Sequence, residues 1–277
     1  MARKHEYHPH VGSGRVGLAV GELQILHDGH RNLYSYMAST CDTAIAALGS
    51  CEKFGVFGHP FQFEQRKAML EGACGPMFKF VQLQDIDSTL DNESWMAYVL
   101  DRITRSGLPE PTDYFTGSEV DARWYEHFFA STRGKPVRDA GGIRVYERLD
   151  RETNTVRRLH VVDRVQIGLP SGRDVRFLVE WREPEWRNYV PARLWDFIEM
   201  NYPPHLRQPV KVHKLLEVAE GQYPVGTRLV EGRNPDKVLV LRDDGKWREL
   251  RDEPDEKAEA ALRMHAARAN GGKGTKA

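Results

Sequence analysis

The sequence lacks the features that mark several classes of protein. Its 277 residues include only three cysteines, Cys41, Cys51 and Cys74, and none of them has Cys-x-x-Cys spacing. A disulfide framework or a zinc site is therefore not indicated, and we expect reduced thiols in a cytoplasmic protein. No apolar run approaches the roughly 20 residues that a membrane helix needs. No signal peptide and no internal repeat is visible.

An excess of charge is also missing, because 40 lysines and arginines balance 40 aspartates and glutamates. The sequence therefore gives no sign of bulk binding to nucleic acid or to a membrane. Three histidines near the start, His5, His8 and His10, could bind a metal. A segment interrupted by Pro9 rarely fixes a ligand geometry, so we expect a disordered polar leader and no metal site.

The first half of the chain alternates apolar runs with amphipathic segments. Strands are predicted at 16–20, 43–48, 78–83 and 113–117, and helices at 30–40, 60–70, 93–105 and 125–130. This order predicts an α/β fold, with a parallel sheet covered by helices on both faces. Ligands of such sheets bind at the carboxyl ends of the strands, where Gly21, Gly49 and Gly117 fall.

The later segments predict a change of architecture. A β-hairpin is expected near 143–164 on the edge of the core, followed by helices starting near Ser171 and at 191–200. Past Pro203, short strands are predicted at 210–218, 227–230, 237–241 and 247–250, then a charged helix at 253–268 and a disordered tail at 270–277. We therefore expect a domain at 1–205, with the hairpin as an insertion, and a small β-rich appendage at 206–277.

Residues 16–30 carry the clearest chemical signal. An apolar run ends at Gly21, and His27 and His30 then flank Gly29. A buried strand that turns tightly into a helix has this pattern, and the amino end of such a helix attracts phosphate. The alternative is that both histidines are ordinary core or surface residues.

Five segments in chain order resemble the archaeal type of nicotinamide mononucleotide (NMN) adenylyltransferase. They also resemble the adenylyltransferase half of bifunctional enzymes with a Nudix domain, within the HxGH nucleotidylyltransferase superfamily. The family patterns are G-R-F-Q-P-x-H-x-G-H, G-S-(x)n-N-P-F-x-x-x-E-R, P-D-I-N…W, F-T-G-N and S-G-T-E-I-R. Their counterparts here are 21–30, 48–50 with 59–61 and 64–66, 85–87 with Trp95, 115–118, and 171–176. The resemblance covers residues 14–200 and implies a Rossmann-like fold; no Nudix signature follows it.

The resemblance implies that AMP passes from ATP to NMN, giving NAD and pyrophosphate, with Mg²⁺ bound alongside ATP. It implies no nucleic-acid or membrane partner and allows a homo-oligomer. Such phosphoryl transfer needs positioning and charge neutralisation, not a covalent nucleophile.

The resemblance assigns the site residues to three groups. The catalytic residues are His27, His30, Arg66 and Arg176. The ATP-binding residues are Gly21, Gly29, Gly117, Ser171, Gly172 and Arg173, and the NMN-binding residues are Gly49, Phe61, Asp85 and Trp95. For several of these residues a purely structural role stays open. Arg66 could form a surface ion pair with a neighbouring glutamate, Trp95 could be a core residue, and Arg173 could point into solvent.

The sequence departs from the family at several motif positions. Glu22 stands where the family has arginine, Leu23 and Ile25 replace phenylalanine and proline, and His59 and Ser118 replace asparagines. Glu22 could turn away, help to hold a metal, or mark a weakened or altered activity. The competing functions are transfer to another phosphorylated acceptor, and a weakened nucleotide-binding module with a regulatory role.

Overall fold

The chain divides into two compact units, Met1–Asn201 and Tyr202–Ala277. The structure, a computed structural model, describes residues 14–86, 91–122, 125, 135–151, 153–165, 167–212, 218, 222–223, 225–231, 234–241 and 245–249. The segments predicted at 5–10, 126–130, 253–268 and 270–277 lie outside the described residues. Among the residues described, no helix combines the length and apolar character that crossing a membrane requires.

The first unit begins with alternating strands and helices. They are β1 (Val16–Gly21), α1 (Asp28–Thr40), β2 (Thr43–Leu48), α2 (Phe63–Cys74), β3 (Phe78–Gln82), α3 (Asn92–Arg105) and β4 (Asp113–Thr116). The later elements are α4 (Glu119–Ala122), β5 (Arg138–Ala140), β6 (Ile143–Asp150), β7 (Thr155–Val162), α5 (Gly172–Glu180) and α6 (Trp195–Asn201). Short 3-10 turns at Pro184–Asn188 and Ala192–Leu194 connect the last two helices.

Seven strands form one sheet in the order β3-β2-β1-β4-β7-β6-β5. The first five of these run parallel, and β6 and β5 are antiparallel additions at one edge. Side chains alternate between the faces of a strand. Leu18 therefore packs with Val99 of α3 in one core cluster, whereas Gly17 faces Met37 of α1 on the other side. The predicted α/β class with a Rossmann-like sheet is confirmed.

Two details differ from the sequence prediction for physical reasons. The helix predicted from Pro60 begins at Phe63, because Gln62 and Gln65 form a reciprocal capping box there. The predicted hairpin exists as β6 and β7, but β7 also pairs in parallel with β4. The hairpin therefore continues the main sheet, and the carboxyl end of β7 lies at the same edge as that of β4.

The second unit contains a separate four-stranded sheet. Its strands, in the order β11-β10-β9-β8, are β8 (Val210–Val212), β9 (Arg228–Glu231), β10 (Asn234–Leu241) and β11 (Trp247–Glu249). The strand predicted at 210–218 is represented by β8, and residues 213–217 lie outside the described residues. The guanidinium of Arg228 donates to the carbonyls of His205 and Arg207, at 3.0 and 2.9 Å, and so ties the sheet to the segment that precedes it.

Candidate functional site

The candidate site lies where the parallel strands of the first unit end. Gly21 closes β1, Gly49 follows β2, and Gly117 follows β4. Backbone hydrogen bonds connect these strand ends in pairs: Gly49 N–H donates to the Gly21 carbonyl at 3.1 Å, and Arg164 N–H donates to the Gly117 carbonyl at 3.2 Å. The sheet thus brings together loops that are far apart in sequence, at the edge where ligands of such folds bind.

His27 caps helix α1 with its own ring. The residue is extended and buried, and its Nδ1 accepts a hydrogen bond from Gly29 N–H at 3.0 Å. A neutral imidazole whose Nδ1 accepts carries its proton on Nε2, so Nε2–H is the group available to a ligand. Gly29 has to be glycine here, because a Cβ would stand 2.8 Å from His27 Cε1.

Both motif histidines are held in the neutral form. Burial, followed by the charges of Arg164 and Arg176, lowers the pKa of His27 to about 4. Burial also places the pKa of His30 well below its usual value, with His27 and Arg164 adding to the effect. The side chain of His27 therefore offers an N–H donor at neutral pH, the single N–H of His30 is directed to the Ile25 carbonyl, and the positive charge of the site comes from arginines.

The amino end of α5 is the second part of the site, beside His27 at the start of α1. Ser171 Oγ donates to the Asp174 carboxylate at 2.7 Å and accepts from Asp174 N–H at 3.3 Å, which makes a capping box. This engagement lowers the pKa of Asp174. Because the Ser171 hydroxyl serves the cap, the helix offers a phosphate its first backbone N–H groups.

At Gly172 the amino ends of α1 and α5 come together. A Cβ on Gly172 would stand 3.6 Å from Arg176 Nη1 and 3.7 Å from His27 Nε2. The bare backbone thus leaves room between two donors from different helices. Arg176 is partly exposed, whereas Arg173 is exposed. The structure brings Arg176 into the histidine cluster and gives Arg173 no contact with it.

Arg164 is a site residue that the sequence reasoning missed. It follows β7, its Nη1 stands 3.6 Å from the position a Cβ would take on Gly117, and its own Cβ lies 3.7 Å from that position on Gly29. No family motif covers it. Arg164 follows an apolar strand almost directly, and this position could have indicated it. The indication would have required knowing that β7 lies next to β4 in the sheet.

Arg66 is buried between two loops of the candidate site. Its side chain has no exposed surface, and its Nη1 donates to the carbonyls of Glu22 and Gly49 at 2.7 and 2.6 Å. Its Nη2 contacts Cys51 Sγ at 3.2 Å. Arg66 therefore ties the loops after β1 and β2 together. Its complete burial rules out the surface ion pair considered as the alternative, whereas the phosphate-binding role implied by the resemblance stays a prediction.

Phe61, which the resemblance assigns to NMN binding, is enclosed by the protein. Its side chain is fully buried, and its N–H donates to Gln24 Oε1 at 3.1 Å, so no part of its ring is open to a ligand. Gln24 Nε2 lies 3.3 Å from His59 Nδ1. The half-exposed Glu22 turns toward the same imidazole, with 3.9 Å between its Oε2 and Nδ1. Burial lowers the pKa of His59 although Glu22 acts to raise it.

Asp85 lies in a polar cluster after β3. Ser50 Oγ donates to its carboxylate at 2.7 Å, and Lys53 forms an ion pair with it. Partial burial alone would raise the pKa of Asp85, but the hydrogen bonds from Lys53 and Ser50 lower it overall. The cluster thus consists of the half-exposed carboxylate of Asp85 with the ammonium of Lys53 and the hydroxyl of Ser50 bound to it.

Trp95 lies on the first turn of α3. Its ring packs edge-on against that of Tyr125, with 6.4 Å between the ring centroids. The side chain also contacts the core cluster and remains partly exposed. One turn later, Tyr98 accepts a hydrogen bond from Gln84 N–H at 2.9 Å, which holds the start of α3 beside the end of β3. Asp87 lies outside the described residues.

Comparison with known proteins gives relatives of one kind. No protein-family model matches the chain. A protein of Thermococcus onnurineus (strain NA1) named nicotinamide-nucleotide adenylyltransferase is 28% identical over 114 residues, which cover 39% of this chain and 57% of that protein. A protein of the same name from Methanocorpusculum labreanum is 31% identical over 88 residues, or 31% of this chain and 51% of that protein.

A third such protein, from Pyrococcus horikoshii, is 28% identical over 115 residues, covering 40% of this chain and 58% of that protein. The chain thus spans about half the length of the curated relatives it matches. The resemblance to nicotinamide-nucleotide adenylyltransferases that the motifs indicated is confirmed.

Proposed function

We propose that the protein transfers AMP from ATP to NMN in the cytoplasm, giving NAD and pyrophosphate for NAD biosynthesis or salvage. The observation that carries the proposal is the convergence of three donors at Gly172: the Nε2–H of His27, the guanidinium of Arg176 and the amino end of α5. Relatives that bear the name of this activity support it.

The chain's residues would act by positioning and by charge neutralisation. An oxygen of the NMN phosphate attacks the α-phosphorus of ATP, the bond to the bridging oxygen breaks, and pyrophosphate leaves with the bonding electrons. No proton has to move. Because His27 is neutral, its Nε2–H donates to a phosphate oxygen as negative charge shifts toward the leaving group. The single N–H of neutral His30 joins it by turning from the Ile25 carbonyl to the phosphate. Arg176 and the α5 amino end then stabilise the departing pyrophosphate.

Magnesium bound through ATP needs only one or two protein carboxylates. The half-exposed carboxylate of Asp121 lies 3.6 Å from Arg164 Nη1 at the edge of the site, so the residues present fit such an ion. When bound, Mg²⁺ would neutralise part of the triphosphate charge.

The acceptor specificity is the finer part of the proposal. The carboxylate of Asp85 can accept a hydrogen bond from a carboxamide, and the ammonium of Lys53 beside it can donate to a hydroxyl. The partly exposed face of Trp95 beside this strand end can stack on an aromatic ring. Both features suit the nicotinamide and ribose of NMN.

The test is turnover by the purified full chain. Incubation with ATP, Mg²⁺ and NMN should produce NAD and pyrophosphate in equal amounts, and omission of NMN should abolish both. FMN and pantetheine phosphate serve as competing acceptors. Turnover with one of these and none with NMN would reject the acceptor assignment. Light scattering on the same sample tests the homo-oligomer that the resemblance allows.

A weakened nucleotide-binding module is the second candidate, and two observations favour it. Glu22 places a carboxylate where the family pattern has an arginine, and Arg66 is buried and bonded to two backbone carbonyls and to Cys51. The site therefore has no cation at position 22, and the guanidinium of Arg66 is bound to protein groups. Calorimetry that detects ATP binding, combined with no turnover on any acceptor, would support this candidate over the enzyme.

A further inference from the structure

We infer that Arg164 binds the triphosphate of ATP, and that it supplies positive charge that the site lacks at position 22. This inference rests on the proposed function and deepens it. It arises from the placement of Arg164 and not from a motif, because none of the five matching segments includes this residue.

The backbone of Arg164 is fixed at the binding edge. Its N–H donates to the Gly117 carbonyl at 3.2 Å, and its carbonyl accepts from Leu169 N–H at 3.0 Å, which closes the short loop after β7. The preceding Asp163 is buried and forms an ion pair with Arg144 at 2.8 Å. The side chain of Arg164 therefore starts from a rigid anchor, which reduces the entropy lost when it binds a ligand.

The side chain crosses open space between two glycines. Its Cβ lies beside Gly29 and its Nη1 lies beside Gly117, each 3.6–3.7 Å from where a Cβ would stand on the glycine. Neither glycine fills the gap, so a phosphate could lie against the guanidinium and the bare backbone together. Arg164 also acts electrostatically on both His27 and His30, as expected for a cation on the same side of the site.

The charge of Arg164 is poorly neutralised by the protein. Among the described residues its one ion pair is with Asp121, at 3.6 Å, and the two side chains are 30% and 49% exposed. An exposed pair at that separation is weak. A polyanion that displaces water from this space would meet Arg164 and Arg176 together, and arginine is well suited to binding phosphate oxygens.

The sheet order assigns Arg164 to ATP and not to the acceptor. The polar cluster of Asp85 follows β3, whereas Arg164 follows β7, with β2, β1 and β4 between them. Four strand spacings amount to roughly 19 Å, which is well beyond the reach of an arginine side chain. The neighbours of Arg164 are instead His27, Gly29 and Gly117.

The experiment compares Arg164→Ala and Arg164→Lys with Arg105→Ala, an exposed arginine on α3 whose ion pair is with Asp101 of the same helix. Calorimetry measures the binding of ATP and of adenosine, and initial rates give KM for ATP and for NMN. We expect Arg164→Ala to weaken ATP binding by about tenfold or more. The lysine variant should retain part of this binding. The affinity for adenosine and the KM for NMN should stay within about twofold, and Arg105→Ala should resemble the parent protein.

Unchanged ATP affinity in Arg164→Ala would overturn the inference, and so would an equal loss of ATP and adenosine binding, which indicates a structural role. If the alanine variant does not fold, Arg164→Lys and Arg164→Gln are judged by the same ratio of ATP to adenosine binding. Failure of the proposed function is a separate outcome. The parent protein would then make no NAD, while the effect of Arg164 on ATP binding could still be measured.

Discussion

The imidazole rings of His27 and His30 lie 3.9 Å apart between their centroids and are tilted by 35°. Two imidazolium ions at this distance would repel each other, so the contact requires that at most one ring is charged. Burial and the nearby Arg164 and Arg176 keep both neutral. The two rings can therefore lie side by side next to phosphate oxygens without repelling each other as cations.

Replacing His30 with alanine should lower kcat by about two orders of magnitude or more while the fold is kept, because a contact made in the transition state is lost. The assay is NAD formation at saturating ATP and NMN, with circular dichroism as the check on folding. His205→Ala, at an exposed position in the second unit, is the matched control. Near-normal turnover in His30→Ala would remove this residue from the catalytic group.

The pKa of His27 makes stability dependent on pH. The folded value of about 4 lies below the ordinary 6.5. The unfolded chain therefore binds this proton first, and stability that is fully present above pH 6.5 falls as the pH drops toward 4. The difference amounts to about 3 kcal/mol of unfolding free energy. Urea unfolding at pH 7.5 and pH 5, compared between the parent protein and His27→Gln, should show the smaller pH dependence in the variant.

The same histidine can be observed directly by nitrogen NMR. The neutral ring should have its proton on Nε2, because Nδ1 accepts from Gly29 N–H. Titration should move its signals near pH 4. A midpoint near 6.5, or a proton on Nδ1 at pH 7, would contradict the arrangement at the start of α1.

Gly29→Ala should disturb His27 through direct contact. The new Cβ would stand 2.8 Å from His27 Cε1, so the ring has to move and its cap hydrogen bond is lost. We expect a loss of about 1 kcal/mol in stability, as for other lost caps, and at least a tenfold fall in kcat. In a His27→Ala background the same change should cost little, because the atom it meets is absent. Additive effects of the two changes would reject this explanation.

Much of the fold could be predicted because its central strands are continuous apolar runs, such as Thr43–Leu48, and parallel buried strands have this composition. The pairing of β7 with β4 could not, since it joins residues far apart in the chain. Strand β5 was missed because all three of its residues are exposed and show no alternation. Pattern rules detect burial on one face, and this strand has none to detect.

His27 and His30 could be proposed as site residues from the sequence because chemistry and spacing coincide there along the chain. The roles of Arg66 and Arg164 depended on contacts between distant loops. The position of Arg66 on α2 gave no hint that two carbonyls, of Glu22 and Gly49, would enclose its guanidinium. A motif shows which residues occur together along the chain. Whether a charged side chain is buried depends on contacts with other loops, which a motif does not contain.

Arg66→Ala should therefore act mainly on stability. The change leaves two buried carbonyls without their donor, which costs about 3 kcal/mol. Arg66→Lys should recover only part of this loss, because an ammonium lacks the planar fork that reaches both carbonyls and Cys51. Chemical unfolding provides the measurement. A raised KM for ATP with unchanged stability would instead restore the phosphate-binding role that the resemblance implied.

At the start of β4, away from the binding edge, Asp113 is fully buried and should contribute to stability without affecting substrate binding. Its carboxylate accepts from His160 Nε2 at 2.8 Å, Thr112 Oγ1 at 2.8 Å and Arg15 Nε at 3.2 Å. Burial alone would raise the pKa of Asp113, but hydrogen bonds from these residues lower it to about 2, from an ordinary 3.8. The stability that this shift represents, about 2 kcal/mol, is present above pH 3.8 and is lost as the pH falls through 2.

Asp113→Asn removes the charge that Arg15 and His160 surround while it keeps the size of the side chain. It should lower the unfolding free energy at pH 7 by about 2 kcal/mol or more, because Arg15 loses its counter-charge and the buried His160 loses a charged acceptor. It should also flatten the acid limb of the stability curve between pH 4 and pH 2, since the group that titrates there is gone. KM for ATP should stay unchanged, because parallel strands place their amino and carboxyl ends on opposite edges of the sheet. A variant with parental stability, or with a raised KM for ATP, would show that this network serves the site itself.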